Sequence, residues 1–409
     1  MPESLEAPTL LRTTARPVKA GQQNPSSLQR IRVAIACSGL GHVQRGVEAW
    51  AEDLAAGLRR RAPSLQLDLF AATSGPDRQR VQCLKRNDLL TRRVASVLRQ
   101  LGGWRYGMGS PYEVEQTSFA LGLWRRIHRS HDLLHVQDPV IARFFEAAHR
   151  AGLSRPKVIL AHGTSEAPST LRAFSTLQHL IPEAADEWEA HRPSKQASFV
   201  IPNLIDVTRF HPAASCSVRA RLGLPQDKLI VLCCAAIRRR HKRIDYLLNE
   251  FAAANTAVGG QMMLIIAGAQ EEDTADLIQM GHTLLGDAVR FMVNVPRAEV
   301  KDLYQAADVF VLPSLQEMFG IVLLEAMSSG LPVVCHDSPS FRAVVGDGGV
   351  YSDLSKDGGL QASLPMLLDA ARRRNLAMRG RDHVQACFSE AAVVPQVLSM
   401  YETVSGKAI

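Results

Sequence analysis

Glu317 and Glu325 stand eight positions apart, with Phe319-Gly320-Ile321 between them. Val309 to Leu312 reads as a buried strand, and residues 313–319 as the loop at its carboxyl end. A helix is expected from near Gly320 to Gly330, where glycine supplies a left-handed cap and Pro332 follows shortly after. Ligands of open α/β sheets bind at the carboxyl ends of strands. A helix N-terminus there offers unpaired N–H groups and the positive end of a dipole, which suit a diphosphate. Two carboxylates beside a diphosphate repel it unless they turn to hydroxyl groups on either side. The pattern therefore fits a ligand in which a diphosphate joins two hydroxyl-bearing groups.

Arg238-Arg239-Arg240-His241-Lys242-Arg243 follows the strand expected at Leu229–Ala235. Six basic residues in a strand-to-helix loop form a phosphate clamp by charge and position. A glycine loop, Ser38-Gly39-Leu40-Gly41-His42, follows the strand that starts at Ile31. It lacks the third glycine of a dinucleotide fingerprint, because Gln44 stands there. Asp68 lies inside the second strand rather than closing it, so nicotinamide dinucleotide binding is not expected. His162-Gly163 ends another strand. No Asp-x-Asp triplet follows any strand, and no metal site is expected.

The elements that must position these residues form two series. Ile31–Ala36, the helical run Gly46–Arg61 and the strand Leu65–Phe70 make a strand–helix–strand unit of a parallel sheet. Further strands are expected at Leu133–Val136, Lys157–Gly163 and Ser198–Ile201. A composition shift at 207–227 reads as a connection between domains. A second series follows, with strands at Leu229–Ala235, Met262–Ala267, Val289–Met292, Val309–Leu312 and Val333–Cys335. Helical runs separate them, such as Ile244–Ala254 and Glu299–Ala306. The stretch Asp382–Thr403 is amphipathic and helical. The fold class is therefore α/β, with two Rossmann-like halves of about 180 residues each.

Residues 1–28 read as a mobile tail. Domain bounds fall at 29–210 and 211–385, with a closing helix in 386–409. Residues 75–130 are rich in arginine and carry no clean period, and so read as loops and helices that carry a specific ligand. Within them Arg92 to Leu101 is a short basic amphipathic stretch. It reads as a helix lining a ligand cleft, with peripheral contact to an anionic membrane as the alternative.

Composition sets the limits. The 409 residues are 46% apolar and 21% charged, which is ordinary for a globular protein and rules out disorder throughout. Leu229 to Ile237 is the purest apolar run, and its nine residues fall short of the roughly 20 a membrane span needs. A net charge of +7 is mildly basic. It suits a phosphate-bearing ligand and is too dilute to imply nucleic acid. Seven cysteines without a CxxC pair read as free thiols in a reducing cytoplasm.

The segment Pro313 to Pro332 resembles the E-x7-E motif of retaining glycosyltransferases of the GT-B fold, family 4 (group 1) type. The spacing of Glu317 and Glu325 matches, as do Phe319-Gly320 and Ser329-Gly330-Leu331-Pro332. Pro202-Asn203-Leu204-Ile205-Asp206 is similar to the family's strand-to-linker signature, with Leu204 in place of the usual glycine. Leu264–Gly268 and Tyr304–Asp308 match in place and order. The resemblance covers residues 31–400, strongly from 199 to 350. It implies two Rossmann-like domains with parallel sheets facing across a cleft, and a closing helix that crosses back to the first. It implies transfer of a hexose-type sugar from a nucleotide-diphosphate sugar to an acceptor hydroxyl, with retention, no metal and no cofactor.

In that scheme Glu317 orients the sugar hydroxyls and Glu325 the donor ribose. Lys242 holds the diphosphate with Arg238 or Arg239, since the commonest family spacing falls on Ile237. The backbone at Phe319, Gly320 and Ile321 completes the phosphate site. Val293 and Asn294 lie in the loop that contacts the base. His162 is the catalytic histidine of the first domain, and Gly39, Gly41 and His42 face the cleft. A nucleotide-sugar binding protein without transfer activity is the alternative. The base, the sugar and the acceptor stay open at this point.

Overall fold

A computed structural model describes residues 31–409, apart from 44, 164 and 165. The tail read at 1–28 and the Gln44 position lie outside these. The described chain divides into two compact units, one ending at Leu204 and including Val393–Ile409, the other running from Ile205 to Ala392.

The first unit runs β1 (Arg32–Cys37), α1 (Gly46–Arg61), β2 (Gln66–Ala71), β3 (Gln79–Arg80), α2 (Leu89–Gln100), α3 (Pro111–Ile127), β4 (Leu133–Val136), α4 (Pro139–Arg150), β5 (Lys157–His162), α5 (Pro168–Leu171), β6 (Thr176–His179), α6 (Pro182–Glu189) and β7 (Ala197–Val200). Its sheet has the order β3-β2-β1-β4-β5-β6-β7, and its strand pairings are parallel. Chain order reverses between β1 and β4, which makes a switch point there. One face of the sheet packs Ala34, Ala36, Leu134, Val136, Val158, Leu160 and Leu177 against Phe119, Phe145 and Trp188.

The second unit runs α7 (Ser215–Leu222), β8 (Leu229–Cys234), α8 (Ile244–Ala257), β9 (Met262–Gly268), α9 (Thr274–Leu285), β10 (Val289–Val293), α10 (Arg297–Ala306), β11 (Val309–Leu312), α11 (Ile321–Ser328), β12 (Val333–His336), α12 (Pro339–Val345), β13 (Gly349–Ser352), α13 (Gly359–Ser363) and α14 (Ala370–Cys387). Its parallel sheet has the order β10-β9-β8-β11-β12-β13, so β8 and β11 flank its switch point. Every residue of β8 and β11 is buried, as continuous apolar strings in a sheet covered on both faces should be. Asp308 sets the pairing of these two strands. Its Oδ2 accepts the Ile230 N–H at 2.7 Å and an Arg219 N–H at 2.6 Å.

The amphipathic run expected at 382–403 is two helices. The end of α14 forms one, and α15 (Glu390–Ser405) the other. Val393, Val394, Val397, Met400, Tyr401 and Val404 are buried along one side of α15. This end of the chain is tied to the first unit's sheet. The Tyr401 hydroxyl meets His135 Nδ1 at 2.8 Å, and Lys407 Nζ meets Asp132 at 2.8 Å. The 207–227 stretch contains α7 as well as loop. Phe210, within it, packs edge-to-face on Tyr304 of α10.

Candidate active site

In the second unit the two loops at the switch point meet. β8 ends at Cys234, but its ladder with β9 continues through Ala235 N–H to Ala267 O and Ile237 N–H to Ala269 O. The basic run then turns sharply. His241 (φ 72°) and Arg243 (φ 49°) are both left-handed, as is Asn294 (φ 56°) after β10. Among described non-glycine residues these are the positive-φ positions, and all three follow strands of this one sheet. Strain of this kind clusters where a site dictates the backbone.

The turn brings Lys242 onto the loop after β11. Lys242 Nζ forms an ion pair with Glu317 Oε1, and His241 Nε2 lies 3.9 Å from Glu317 Oε2. Both members of the Lys242–Glu317 pair are largely shielded, at 18% and 13% side-chain exposure. The candidate clamp arginines differ. Arg239 is the more exposed, its Nη1 3.6 Å from Asp245, and its backbone N–H donates to Asp273 at 2.8 Å. Arg238 is half-buried, and its Nε has no hydrogen-bond partner. Arg243 serves the scaffold, donating to the Pro313 carbonyl at 3.3 Å and stacking on Tyr246.

Gly320 caps the start of α11 at φ 77°. A Cβ there would be strained and would fall 2.9 Å from Leu323. The helix closes with Leu331 N–H bonded to Ala326 O and Gly330 N–H to Met327 O, a Schellman end. Ile321 is buried. The Phe319 ring turns inward against Phe388, so only its backbone is placed to meet a ligand. Glu325 is 7% exposed, and its Oε2 accepts the Tyr304 hydroxyl at 2.7 Å. Burial pushes the Tyr304 hydroxyl well above its ordinary value, so it stays a donor. Tyr304 is a site residue that spacing did not single out. The available signal was a tyrosine on the inner side of a short helix, since a buried tyrosine hydroxyl needs a partner. Val293 pairs with Gly268, and Asn294 Oδ1 accepts the Gln270 N–H at 3.0 Å.

Gly39, Gly41, His42 and His162 lie in the first unit, at the carboxyl ends of β1 and β5. Glu48 of α1 folds back onto Gly39, where a Cβ would fall 2.0 Å from Glu48 Oε1. A carboxylate thus fills the place at a helix N-terminus where a dinucleotide's phosphate would lie. The Thr73 hydroxyl packs on Gly41. His42 Nε2 meets Glu115 Oε2 at 2.8 Å. Arg86 holds the same carboxylate through its Nε at 3.0 Å and its N–H at 2.7 Å. Burial opposes ionisation of Glu115, but the hydrogen bonds from His42 and Arg86 outweigh it and hold the carboxyl at about 2. Asp138 accepts the Ser38 N–H at 2.9 Å, and burial raises its carboxyl to about 6. None of Glu115, Arg86 and Asp138 was among the expected site residues.

His162 and His179 are register partners at the ends of β5 and β6, with rings edge-to-face at 5.8 Å. Among the described residues no group of three or more His, Cys, Asp or Glu could hold a metal ion, and no helix is long and apolar enough to cross a membrane.

Two parallel Rossmann-like sheets, with a glutamate–lysine site at the switch point of the second, define the GT-B fold. Residues 217–369 match the family described as Glycosyl transferases group 1. It is 28% identical over 285 residues to a D-inositol 3-phosphate glycosyltransferase of Geodermatophilus obscurus, covering 67% of this chain and 60% of that one. It is 28% identical over 292 residues to a phosphatidyl-myo-inositol mannosyltransferase of Mycolicibacterium smegmatis, covering 68% of this chain and 72% of that one. The chain spans 60% and 50% of the length of two inositol-phosphate relatives. Among solved structures, sucrose-phosphate synthase from Thermosynechococcus elongatus superposes with a TM-score of 0.72 at 19% identity, over 92% of this chain and 100% of that one. Anabaena Alr3699/HepE in complex with UDP and glucose gives 0.67 at 16% identity, over 91% and 100%. At these identities the structures speak for the fold.

Proposed function

We propose that the chain is a retaining glycosyltransferase that moves a hexose-type sugar from a nucleotide-diphosphate sugar to an acceptor hydroxyl. The observation that carries this reading is the meeting of Lys242 and Glu317 at the second sheet's switch point, beside the start of α11. The bond from the anomeric carbon to the diphosphate breaks, and a bond to the acceptor oxygen forms on the same face. The acceptor's proton passes to the departing phosphate oxygen. Negative charge grows on the diphosphate as it leaves. Lys242 and Arg238 would meet that charge as cations, and the N–H groups at Gly320 and Ile321 as hydrogen-bond donors, in a step written without a metal. The unpartnered, buried Nε of Arg238 favours it over Arg239, whose guanidinium faces Asp245.

Glu317 would orient the sugar hydroxyls and Glu325 the ribose. The loop at Val293 and Asn294 would contact the base through its backbone. The first unit would take the acceptor at Gly39, Gly41 and His42, with His162 as its catalytic histidine. The seven free thiols suit a cytoplasmic enzyme.

The first test is thermal unfolding with uridine, guanosine and adenosine diphosphate sugars. At about 100 times Kd a donor adds about 2.7 kcal/mol, an upward shift of a few degrees. A shift with one base, followed by release of its diphosphate when acceptors are supplied, is the expected result. Binding without transfer across a broad acceptor set would leave a nucleotide-sugar binding protein. No shift with any donor would sink both readings.

Glu325→Ala should weaken donor binding about 10-fold or more, the value of a hydrogen bond to a charged group. It also strands the Tyr304 hydroxyl, so Tyr304→Phe is the control. That variant should keep donor affinity within about twofold, because it leaves the carboxylate in place. Equal losses of affinity in the two, measured by calorimetry, would assign Glu325 to the scaffold instead.

A further inference from the structure

Three carboxyl groups close on the glycine loop of the first unit, where β1 and β4 part. Glu48, 6% exposed, lays its carboxylate on Gly39, and Glu115 and Asp138 are buried nearby. Arg86 links them. Its Nη2 lies 3.1 Å from where a Gly39 Cβ would fall and 3.4 Å from the Ser38 hydroxyl. Asp138 Oδ1 accepts from the Tyr112 hydroxyl at 3.3 Å and from Gln116 Nε2 at 3.2 Å. Glu48 Oε2 is buried without a hydrogen-bond partner.

The cations that reach the loop are already engaged. Arg86 holds Glu115 and stacks on the Tyr112 ring at 4.4 Å. Arg78 packs on Gly41 and is paired with Glu52 at 2.9 Å. Arg45, exposed at the start of α1, faces Glu48. Three carboxyl groups thus share two guanidiniums, those of Arg86 and Arg45. Burial comes first among the causes that raise Glu48 and Asp138, and neighbouring carboxylates add to both. Surplus negative charge has that signature.

Such a loop selects against an anion. A phosphate would seek the N–H groups at the start of α1, where the Glu48 carboxylate already lies. It brings no donor for Glu48 Oε2, and like charges held together cost affinity. A hydroxyl or an ammonium brings the donor that a buried carboxylate oxygen lacks.

We propose that the acceptor presents hydroxyl or amine groups, and no phosphate, to this loop, with Glu48 Oε2 accepting from one of them. The proposal rests on the transferase reading and narrows its acceptor to unphosphorylated polyols, with or without amines.

The test compares matched probes: myo-inositol with its 3-phosphate, and glucose and glucosamine with glucose 6-phosphate. Each is supplied with the donor that raises the thermal midpoint, and diphosphate release is followed. An unphosphorylated probe should be used with kcat/KM at least about 10-fold above its phosphorylated counterpart. Glu48→Gln removes one negative charge and keeps the shape. It should lower kcat/KM for the unphosphorylated probe about 10-fold, the value of a hydrogen bond to a charged group, and shrink the preference at least as far. That preference is a ratio taken within one folded protein, so a loss of stability in the variant does not move it. The probes are also added without donor, and unfolding in urea is followed by the tryptophans, all of which lie in the first unit. An unphosphorylated probe should raise that midpoint and its phosphorylated counterpart should not. A phosphorylated probe that outruns its parent in either assay, no response to any unphosphorylated probe, or a preference unchanged in Glu48→Gln would overturn the proposal. An absence of donor binding would instead fail the transferase reading, and the urea assay would still decide what the loop accepts.

Discussion

Lys242→Met is expected to lower kcat/KM for sugar transfer about 10²- to 10³-fold, the usual loss when one fixed partner of a developing charge is removed. Methionine keeps the stem and removes the ammonium. The effect should fall mainly on kcat, because charge on the diphosphate is greatest as the bond to the sugar breaks. The Lys242–Glu317 pair is largely shielded but both side chains reach solvent, so losing the ammonium should cost less than the roughly 3–5 kcal/mol of breaking a fully buried pair. A kinetic loss measured well below the variant's own thermal midpoint, on folded protein, separates chemistry from folding. Lys242→Arg should not restore the rate, since a planar fork does not replace a point charge at the turn set by His241 and Arg243. Glu317→Gln should also be slow, and the double variant no slower than the worse single one if the two residues act as a unit. A loss below about threefold for Lys242→Met would show that the leaving group's charge is met elsewhere.

The parts of the fold that could be read in the sequence are those set by local pattern. β8 and β9 are unbroken apolar strings, and such strings belong to parallel sheets buried on both faces. The α11 cap was visible because Gly320, Gly330 and Pro332 stand where backbone conformation demands them. Partner choice was not visible. Lys242 and Glu317 are 75 positions apart, and only the adjacency of β8 and β11 joins them. Tyr304 on α10 reaches Glu325 on α11 from the other side of β11 in the chain, a pairing that no local pattern marks. The stretch 75–130 yielded least. α2 buries only Thr91 and Ala95, so its apolar residues do not trace an inward face. In α3 Glu115 and Gln116 are fully buried beside Phe119 and Leu123, which blurs the helical period. A buried charge is invisible to an apolar pattern, and its meaning appears only with Arg86 and His42 around it.

That buried group should dominate the stability of the first unit. Glu115→Gln is expected to destabilise it by up to about 3–5 kcal/mol, because an isosteric neutral group takes from the shielded Arg86 guanidinium its hydrogen-bonded carboxylate and leaves only Glu48 and Asp138 near it. All four tryptophans, Trp50, Trp104, Trp124 and Trp188, lie in this unit, so their fluorescence in urea follows its unfolding and not that of the second. The pH dependence supplies a second reading of the same interaction. Glu115 has its folded carboxyl held at about 2 against an ordinary 4.5. Its contribution is therefore full above about 4.5 and is lost as pH falls toward 2, about 3 kcal/mol in all. The natural protein should lose stability across that acid range. Glu115→Gln should start lower at neutral pH and lose correspondingly less on acidification, so that the two curves converge near pH 2. Parallel curves would place the acid sensitivity on other carboxyls and leave Glu115 as a packing residue. The consequence reaches the glycine loop, because Arg86 and His42 hold Glu115 beside Gly39 and Gly41. A loosened loop at full donor affinity would show as a higher acceptor KM with donor binding unchanged.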